Sequence, residues 1–359
     1  MNFYISIFRT NMFSYKKNIL LSLVFLFLLL LSTAIIMFSI DPLQHYRKAT
    51  WYKPYPLEQR YLLWGLIDNY TFDSLLIGTS MSENFVKSEI DTALNFNTLL
   101  APISGATAYE ENLLIDRAIK LNVKNIIYPL DLFGFKDSIH ALGTSDFPIY
   151  LENNTYWDDY KYLLNSDIIF RDTSKLFLAN FMGIKSNKLK MDTFWTWKKT
   201  EDFSAKACKN AYTKLIQTNN AFYAENFHLD KSIQSFNINI FPHLKNSNIN
   251  YYIIFPPYSI LTYKLFLKYK KLKEFLAFKR YIVNKLNKYP HIKIYDFQVA
   301  NNITHNLNNY KDIGHYSKKI NSWMIQQIKQ NKYRIKKDNV NKYLKKLNMD
   351  TKNYVMKNI

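Results

Sequence analysis

Hydrophobic and polar positions alternate in blocks along most of the chain. Short apolar runs predict strands at Phe72–Ile77, Asn97–Leu100, Val123–Leu130, Asn250–Phe255 and Ile292–Tyr295. Between them, apolar residues recur at helical spacing and predict helices at Leu57–Tyr70, Glu83–Ala93, Ala108–Lys120, Tyr263–Lys288 and beyond His315. Apolar strands separated by amphipathic helices indicate an α/β protein with a parallel sheet covered on both faces. The alternation fails between Phe135 and about Lys245. Aromatics are dense there, and helical signals fall at Tyr160–Leu164, Lys175–Met182 and Ile233–Leu244. That stretch, about 136–245, reads as a helical insertion between two strands, near the substrate side.

One apolar run has a different character. Ile19–Ile40 holds 22 residues without a charge, which as a helix is long enough to cross a bilayer. Met37, Phe38 and Ile40 stand where a signal peptide would carry small residues before cleavage, so an uncleaved anchor is expected. Arg9, Lys16 and Lys17 precede the run and predict a cytoplasmic N-terminus, 1–18, with everything after Asp41 exported; Arg47 and Lys48 weaken the asymmetry slightly. The expected order is therefore the anchor at 19–40, a connector and helix at 41–71, the α/β domain at 72–330, and a basic tail at 331–359. The anchor and positive-inside reading correspond to a single-pass membrane protein.

Composition sets limits on this picture. Of 359 residues, 48% are hydrophobic and 17% aromatic, which is enough for a sizeable core. Scarce glycine and abundant Lys, Asn, Ile and Tyr read as the habit of an AT-rich genome. The formal charge of +20 raises nucleic-acid binding. However, residues 331–359 hold nine Lys/Arg against two Asp, so about a third of the net charge lies in one segment. No zinc-finger spacing, RNA-binding signature or P-loop is present, and an exported domain meets no nucleic acid. The tail could meet anionic lipid or an acidic polymer; a solvated helix with frayed ends is the simpler reading. Cys208 is the single cysteine, so the chain can form neither an internal disulfide nor a cysteine metal cluster.

Candidate chemistry gathers at predicted strand ends, where open α/β sheets bind ligands. In FDSLLIGTSMSENF, residues 72–85, a strand-like run ends in Gly78-Thr79-Ser80. A glycine permits a sharp turn, and a following helix N-terminus offers free N–H groups beside the serine. Ser80 is a candidate nucleophile; a helix cap formed by Ser80 or Ser82 is the alternative. Ser104-Gly105-Ala106-Thr107 places a second glycine after the next strand, whose N–H could meet an oxyanion or merely make a turn. Asp131 ends the apolar strand in Tyr128-Pro129-Leu130-Asp131, and either faces the same crevice or caps the next segment. In Asp312-Ile313-Gly314-His315, a carboxylate three residues before an imidazole can fix its tautomer and make it a general base. A satisfied structural histidine is the other reading. Glu83 and Asn84 are further candidates for substrate contact, against the ordinary preference for acidic residues at helix starts. The aromatic cluster Phe194–Trp197 could bind a sugar ring or pack in the core. Phe255-Pro256-Pro257-Tyr258 could line an acyl pocket or simply stop a strand.

Taken in order, these blocks resemble the SGNH (GDSL-like) hydrolase superfamily over Asp73–Leu132 and Asn250–Gln330. Gly78-Thr79-Ser80 stands where that family has Gly-Asp-Ser, Ser104-Gly105-Ala106 resembles its second block, and Asp312–His315 its last. Two departures are visible. Thr79 replaces the common Asp, and Pro129-Leu130-Asp131 occupies the corner where the family offers Gly-x-Asn-Asp. The resemblance implies a three-layer, flavodoxin-like parallel sheet and a Ser80–His315–Asp312 acyl-enzyme mechanism without metal or cofactor. The oxyanion hole would be drawn from the Ser80 and Gly105 N–H groups; Asp131 takes the place of the family's third donor.

With a single anchor, the chain is similar to envelope proteins of alginate and peptidoglycan O-acetylation and of lipoteichoic-acid D-alanylation. That implies an O-acyltransferase or esterase held in a bacterial cytoplasmic membrane and acting outside it on a polysaccharide or other envelope polymer. Acyl groups would be supplied by a multi-spanning acyltransferase partner. The alternative is an SGNH-like fold with an inactive site, serving as a scaffold in an envelope assembly.

Overall fold

The structure is a computed structural model that describes residues 2–135, 139–143, 147–153, 155–182, 190–197, 201–218 and 222–356. It divides into two compact units. The first comprises Met1–Leu57, Tyr61–Asn69 and Pro148–Ser186; the second comprises Glu58–Arg60, Tyr70–Phe147 and Asn187–Ile359. The insertion is thus shared between the units instead of belonging wholly to the sheet domain. Its expected start at residue 136 lies outside the described residues.

The second unit is built on five parallel strands, β1 (Ser74–Gly78), β2 (Thr98–Pro102), β3 (Asn125–Pro129), β4 (Asn250–Phe255) and β5 (Ile292–Asp296). Their order is β2-β1-β3-β4-β5. Every residue of β1, β2 and β3 is buried, as expected of strands with helices on both faces. The order reverses between β1 and β3. In such sheets the crevice for ligands opens at that reversal, beyond the carboxyl ends of the strands. Register sets Gly78 beside Pro102, Pro129 beside Ile254 and Phe255 beside Asp296, so the strand ends form one rim.

Local chemistry explains several boundaries. Helix Ala108–Lys120 starts where Thr107 and Glu110 form a reciprocal capping box. The single long helix expected at Tyr263–Lys288 is two, Ile260–Lys268 and Leu272–Leu286, separated by a left-handed Lys270 (φ 59°). The break folds one half onto the other, so that the Phe266 and Phe275 rings pack 4.7 Å apart. No glycine or proline announces it. The basic C-terminal segment also departs from the solvated reading. Ile335 N–H bonds Ile294 O on β5 (3.0 Å), and helix Val340–Asn353 buries Val340, Leu344, Leu347 and Thr351 in one stripe. Its lysines occupy the remaining faces, so charge and docking coexist on one amphipathic helix.

In the first unit, one helix runs from Asn2 to Ile40, and its Tyr15–Ile40 portion is long and apolar enough to cross a membrane. It ends on a knot around Asp41. The Asp41 carboxylate accepts N–H bonds from His45 (2.9 Å), Tyr46 (3.0 Å) and Arg47 (3.1 Å) and the Tyr162 hydroxyl proton (2.8 Å). Burial raises the Asp41 pKa, and these donors pull it part of the way back. Between β3 and β4 the described residues form helices and turns, with no strand.

Candidate active site

The corner after β1 divides its work among Gly78, Thr79, Ser80 and Ser82. Gly78 has φ 128°, and a Cβ there would lie 2.3 Å from Ser82 Oγ and 3.1 Å from Pro129 O. Both the backbone conformation and the close approach require glycine. Thr79, in extended conformation, takes the cap: its Oγ1 accepts the Met81 N–H (3.3 Å). Ser82 is buried and donates back to Ile77 O (3.1 Å). Neither Ser80 nor Ser82 is therefore the cap. Ser80 opens a single 3-10 turn, Ser80–Ser82, whose first N–H groups lack partners within the turn.

The Ser80 hydroxyl meets His315 Nε2 at 2.8 Å. His315 Nδ1 meets Asp312 Oδ2 at 2.7 Å. Asp312 Oδ1 accepts the backbone N–H groups of Gly314 (2.8 Å) and His315 (2.7 Å), which tightens the turn around the carboxylate. In the tautomer that donates Nδ1–H to Asp312, Nε2 is free to accept the serine proton. The side chains of His315 and Asp312 keep 33% and 35% exposure, so the pair remains open to solvent and to a ligand.

The imidazole turn is held from β4. Ile313 O accepts the Ser259 N–H (3.0 Å) and both the Ser259 and Thr262 hydroxyls (2.6 Å each). Tyr310 OH donates to Pro257 O (2.8 Å). Pro257, Ser259 and Thr262 thus anchor the turn that carries His315. The serine corner is braced from the other side: Tyr316 OH and Asn321 Nδ2 both reach Met81 O, at 3.4 and 3.3 Å.

Charge around the dyad is consistent with its geometry. Burial pushes the Asp312 pKa up, but the His315 hydrogen bond and charge, with the two backbone donors, bring it below the ordinary value. Burial pushes His315 down, yet the Asp312 hydrogen bond and charge outweigh this and hold it above the usual histidine value. Lys311 opposes that rise, and the Asp131 charge adds to it. Burial pushes the Cys208 thiol up to about 12, so it offers no rival thiolate.

Asp131 is buried at the carboxyl end of β3, and both of its oxygens accept hydrogen bonds. Oδ2 accepts the Thr79 hydroxyl (2.8 Å), and Oδ1 accepts the Tyr258 hydroxyl (2.6 Å) and the Phe133 N–H (3.1 Å). It ties β1, β3 and β4 together at the rim, and Thr79 is the residue that reaches it. Gly105 follows β2 in an exposed left-handed turn (φ 64°), with open space where a Cβ would project.

Glu83 and Trp197, separate candidates in the sequence, meet in a second layer around His315, joined by Gln59, Lys311 and Glu201, which no motif marks. Trp197 stands edge-on to the imidazole, with centroids 5.3 Å apart and planes at 71°. Its indole N–H donates to Glu83, and Glu83 also accepts from Gln59 Nε2 (2.8 Å), whose own oxygen accepts the Ser104 N–H (2.6 Å). Lys311 lies 3.9 Å above the Trp197 ring and 3.3 Å from Glu201. Burial raises the Glu83 pKa, and its Trp197 and Gln59 hydrogen bonds oppose that rise. Glu83 is thus a link between the Ser104–Gly105 corner and the Trp197 wall beside His315. The aromatic cluster splits in role: Phe194 and Trp195 are buried core, and only Trp197 reaches the dyad. The layer joins three separate stretches of the chain, Gln59–Ser104, Trp197–Glu201 and Lys311–His315, so no local pattern in the sequence marks their meeting.

No sequence profile of a known protein family matches the chain, and no curated protein matches it significantly. The class is therefore defined by what the fold and site present: a doubly wound α/β unit with a Ser-His-Asp constellation on its strand rim, and an N-terminal helix long and apolar enough to span a membrane.

Proposed function

We propose that this protein is an SGNH-like serine acyltransferase or esterase, anchored by its N-terminal helix with the α/β unit outside the cytoplasmic membrane. The observation that carries the reading is the relay from Ser80 through His315 to Asp312, with contacts of 2.8 and 2.7 Å. Both lie within the reach that proton transfer requires.

In the proposed reaction, Ser80 Oγ bonds to the carbonyl carbon of an acyl ester while its proton passes to His315 Nε2. The carbonyl electrons move onto oxygen, and the Ser80 N–H, with Gly105 N–H as its partner from the next corner, faces that oxyanion. Asp312 stabilises the imidazolium and holds its orientation. Collapse breaks the bond to the leaving oxygen, which takes the proton from His315 and leaves an acyl-Ser80 ester. Water or a sugar hydroxyl then attacks, giving its proton to His315; collapse breaks the bond to Ser80 Oγ, which takes that proton back and restores the hydroxyl. Asp131 is assigned no donor role, because its oxygens are already engaged by Thr79, Tyr258 and Phe133. An envelope polysaccharide as acceptor and a multi-spanning acyl donor partner complete the proposal; the anchor and the resemblance support them.

Fluorophosphonate labelling tests it. Wild-type protein should label covalently, and Ser80→Ala and His315→Ala should not. Folded wild-type protein that resists labelling, in cells whose envelope acylation is unchanged by Ser80→Ala, points instead to the inactive scaffold.

A further inference from the structure

The helices and turns of the first unit carry an unusual surface. Trp157 is 94% exposed, Tyr156 81% and Phe170 75%. Soluble surfaces rarely gather large aromatics in this way. We infer that residues 149–153 and 155–182 form a collar around the exit of the N-terminal helix and seat these aromatics in the headgroup layer of the bilayer. This rests on the reading of that helix as a membrane span.

The position of the collar follows from helix length. Ile19–Ile40 measures about 33 Å at 1.5 Å per residue, against roughly 30 Å of hydrocarbon. With Ile19 at one edge, the other edge therefore falls near Phe38. One face of the helix is covered just there: Met37 is buried and Thr33, Ala34 and Ile40 are partly covered, whereas Ile35, Ile36 and Phe38 are exposed. That spacing is one helical stripe. Thr173 Oγ1 touches Met37 Sδ at 3.8 Å. Tyr156, Trp157 and Tyr160 line an open groove of about 320 Å³ with Ala34 and Phe38 of the span. Side chains that share a groove with Ala34 and Phe38 share their depth, at the outer edge of the hydrocarbon. A second cluster stands by the same exit: Trp51 and Phe177 flank Phe181, with ring centroids 6.3 and 5.0 Å away.

The residue types fit that depth. Tyr and Trp prefer the boundary, where the ring meets acyl chains and the polar edge meets water. Arg47 lies 4.7 Å over the Phe38 ring and donates to the last carbonyls of the helix, as a cation at a helix C-terminus should. The collar's own cations are partnered: Lys161 with Asp158, Arg171 with Asp167 and Asp172, Lys175 with Asp172. Its attachment is therefore aromatic, and should not depend on anionic lipid.

The test uses the full chain in phosphatidylcholine vesicles, with bromines placed shallow or deep on the acyl chains. Wild-type emission should fall most with shallow bromines, and Trp157→Phe should remove much of that loss. Adding Phe177→Trp to Trp157→Phe should restore it. Phosphatidylglycerol should change neither result. Emission from Trp157 and from Trp at 177 that iodide quenches and bromolipid does not would overturn the collar. So would emission that neither quencher reaches, which would mean that a second copy of the chain covers the face. Resistance to alkaline carbonate extraction reports the span separately. A protein that resists extraction but is not quenched by bromolipid loses the collar alone; one that is extracted loses the span as well.

Discussion

Asp131 and Asp312 lie at the same rim of one sheet unit and do opposite things. Asp312 spends one oxygen on two backbone N–H groups and the other on His315. It is partly exposed, and its charge acts on an imidazole that can give and take a proton. Asp131 is buried, and its partners are two hydroxyls and one N–H that bind three strand ends together. The chemical group is the same in both; the partner decides the role. A titratable neighbour makes a carboxylate part of a proton relay, and fixed donors make it a structural tie.

Substitutions can break that contrast, and the largest effect is expected at Asp312. Asp312→Asn keeps the shape but removes the charge that steadies the imidazolium, so turnover of an activated ester should fall about 10³–10⁴-fold. Thermal stability should change little. Asp131→Ala should show the reverse. It strands the Thr79 and Tyr258 hydroxyls, at a cost of about 1–3 kcal/mol for each buried group left unpaired, read as a lower urea midpoint. Fluorophosphonate labelling should persist in the folded fraction. If Asp131→Ala instead abolishes labelling in folded protein, the two carboxylates share the catalytic role and the contrast fails.

The smallest expected effect is on pH dependence. His315 must be neutral to accept the serine proton, so kcat/KM should rise with pH through its pKa. Asp312 holds that pKa above the ordinary value of about 6.5. Lys311 opposes the rise, and replacing it with Met removes a positive charge that disfavours the imidazolium. The acidic limb of Lys311→Met should therefore move to higher pH, whereas that of Asp312→Asn should move to lower pH. Shifts in the same direction for both variants would contradict the electrostatic assignment.

The strands and most sheet-covering helices were legible because both depend on local periodicity. Helix Ala108–Lys120 and strand β4 have their expected bounds. The break at Lys270 was not legible, because it is paid for by contacts between Tyr263, Phe266 and Phe275 across the bend. The fate of the basic C-terminal segment was hidden for a similar reason. Its apolar stripe is sparse among lysines, and its value depends on a surface ready to receive it.

By itself, the sequence determined the parallel α/β pattern, the apolar N-terminal helix, and the short list containing Ser80, Gly105, Asp131, Asp312 and His315. Those are properties of spacing and residue type within one element or turn. Only the tertiary structure decided which serine faces the imidazole, that Thr79 takes the cap, that Asp131 is a tie, and that Trp197, Glu83 and Lys311 surround the base. Each of these depends on residues far apart in the chain meeting at one rim, where a difference of an ångström separates a proton relay from an ordinary turn. The glycine at 78 shows both sides. The sequence marks a sharp turn there, and the fold adds the reason no other residue fits: Ser82 and Pro129 crowd the space a Cβ would need.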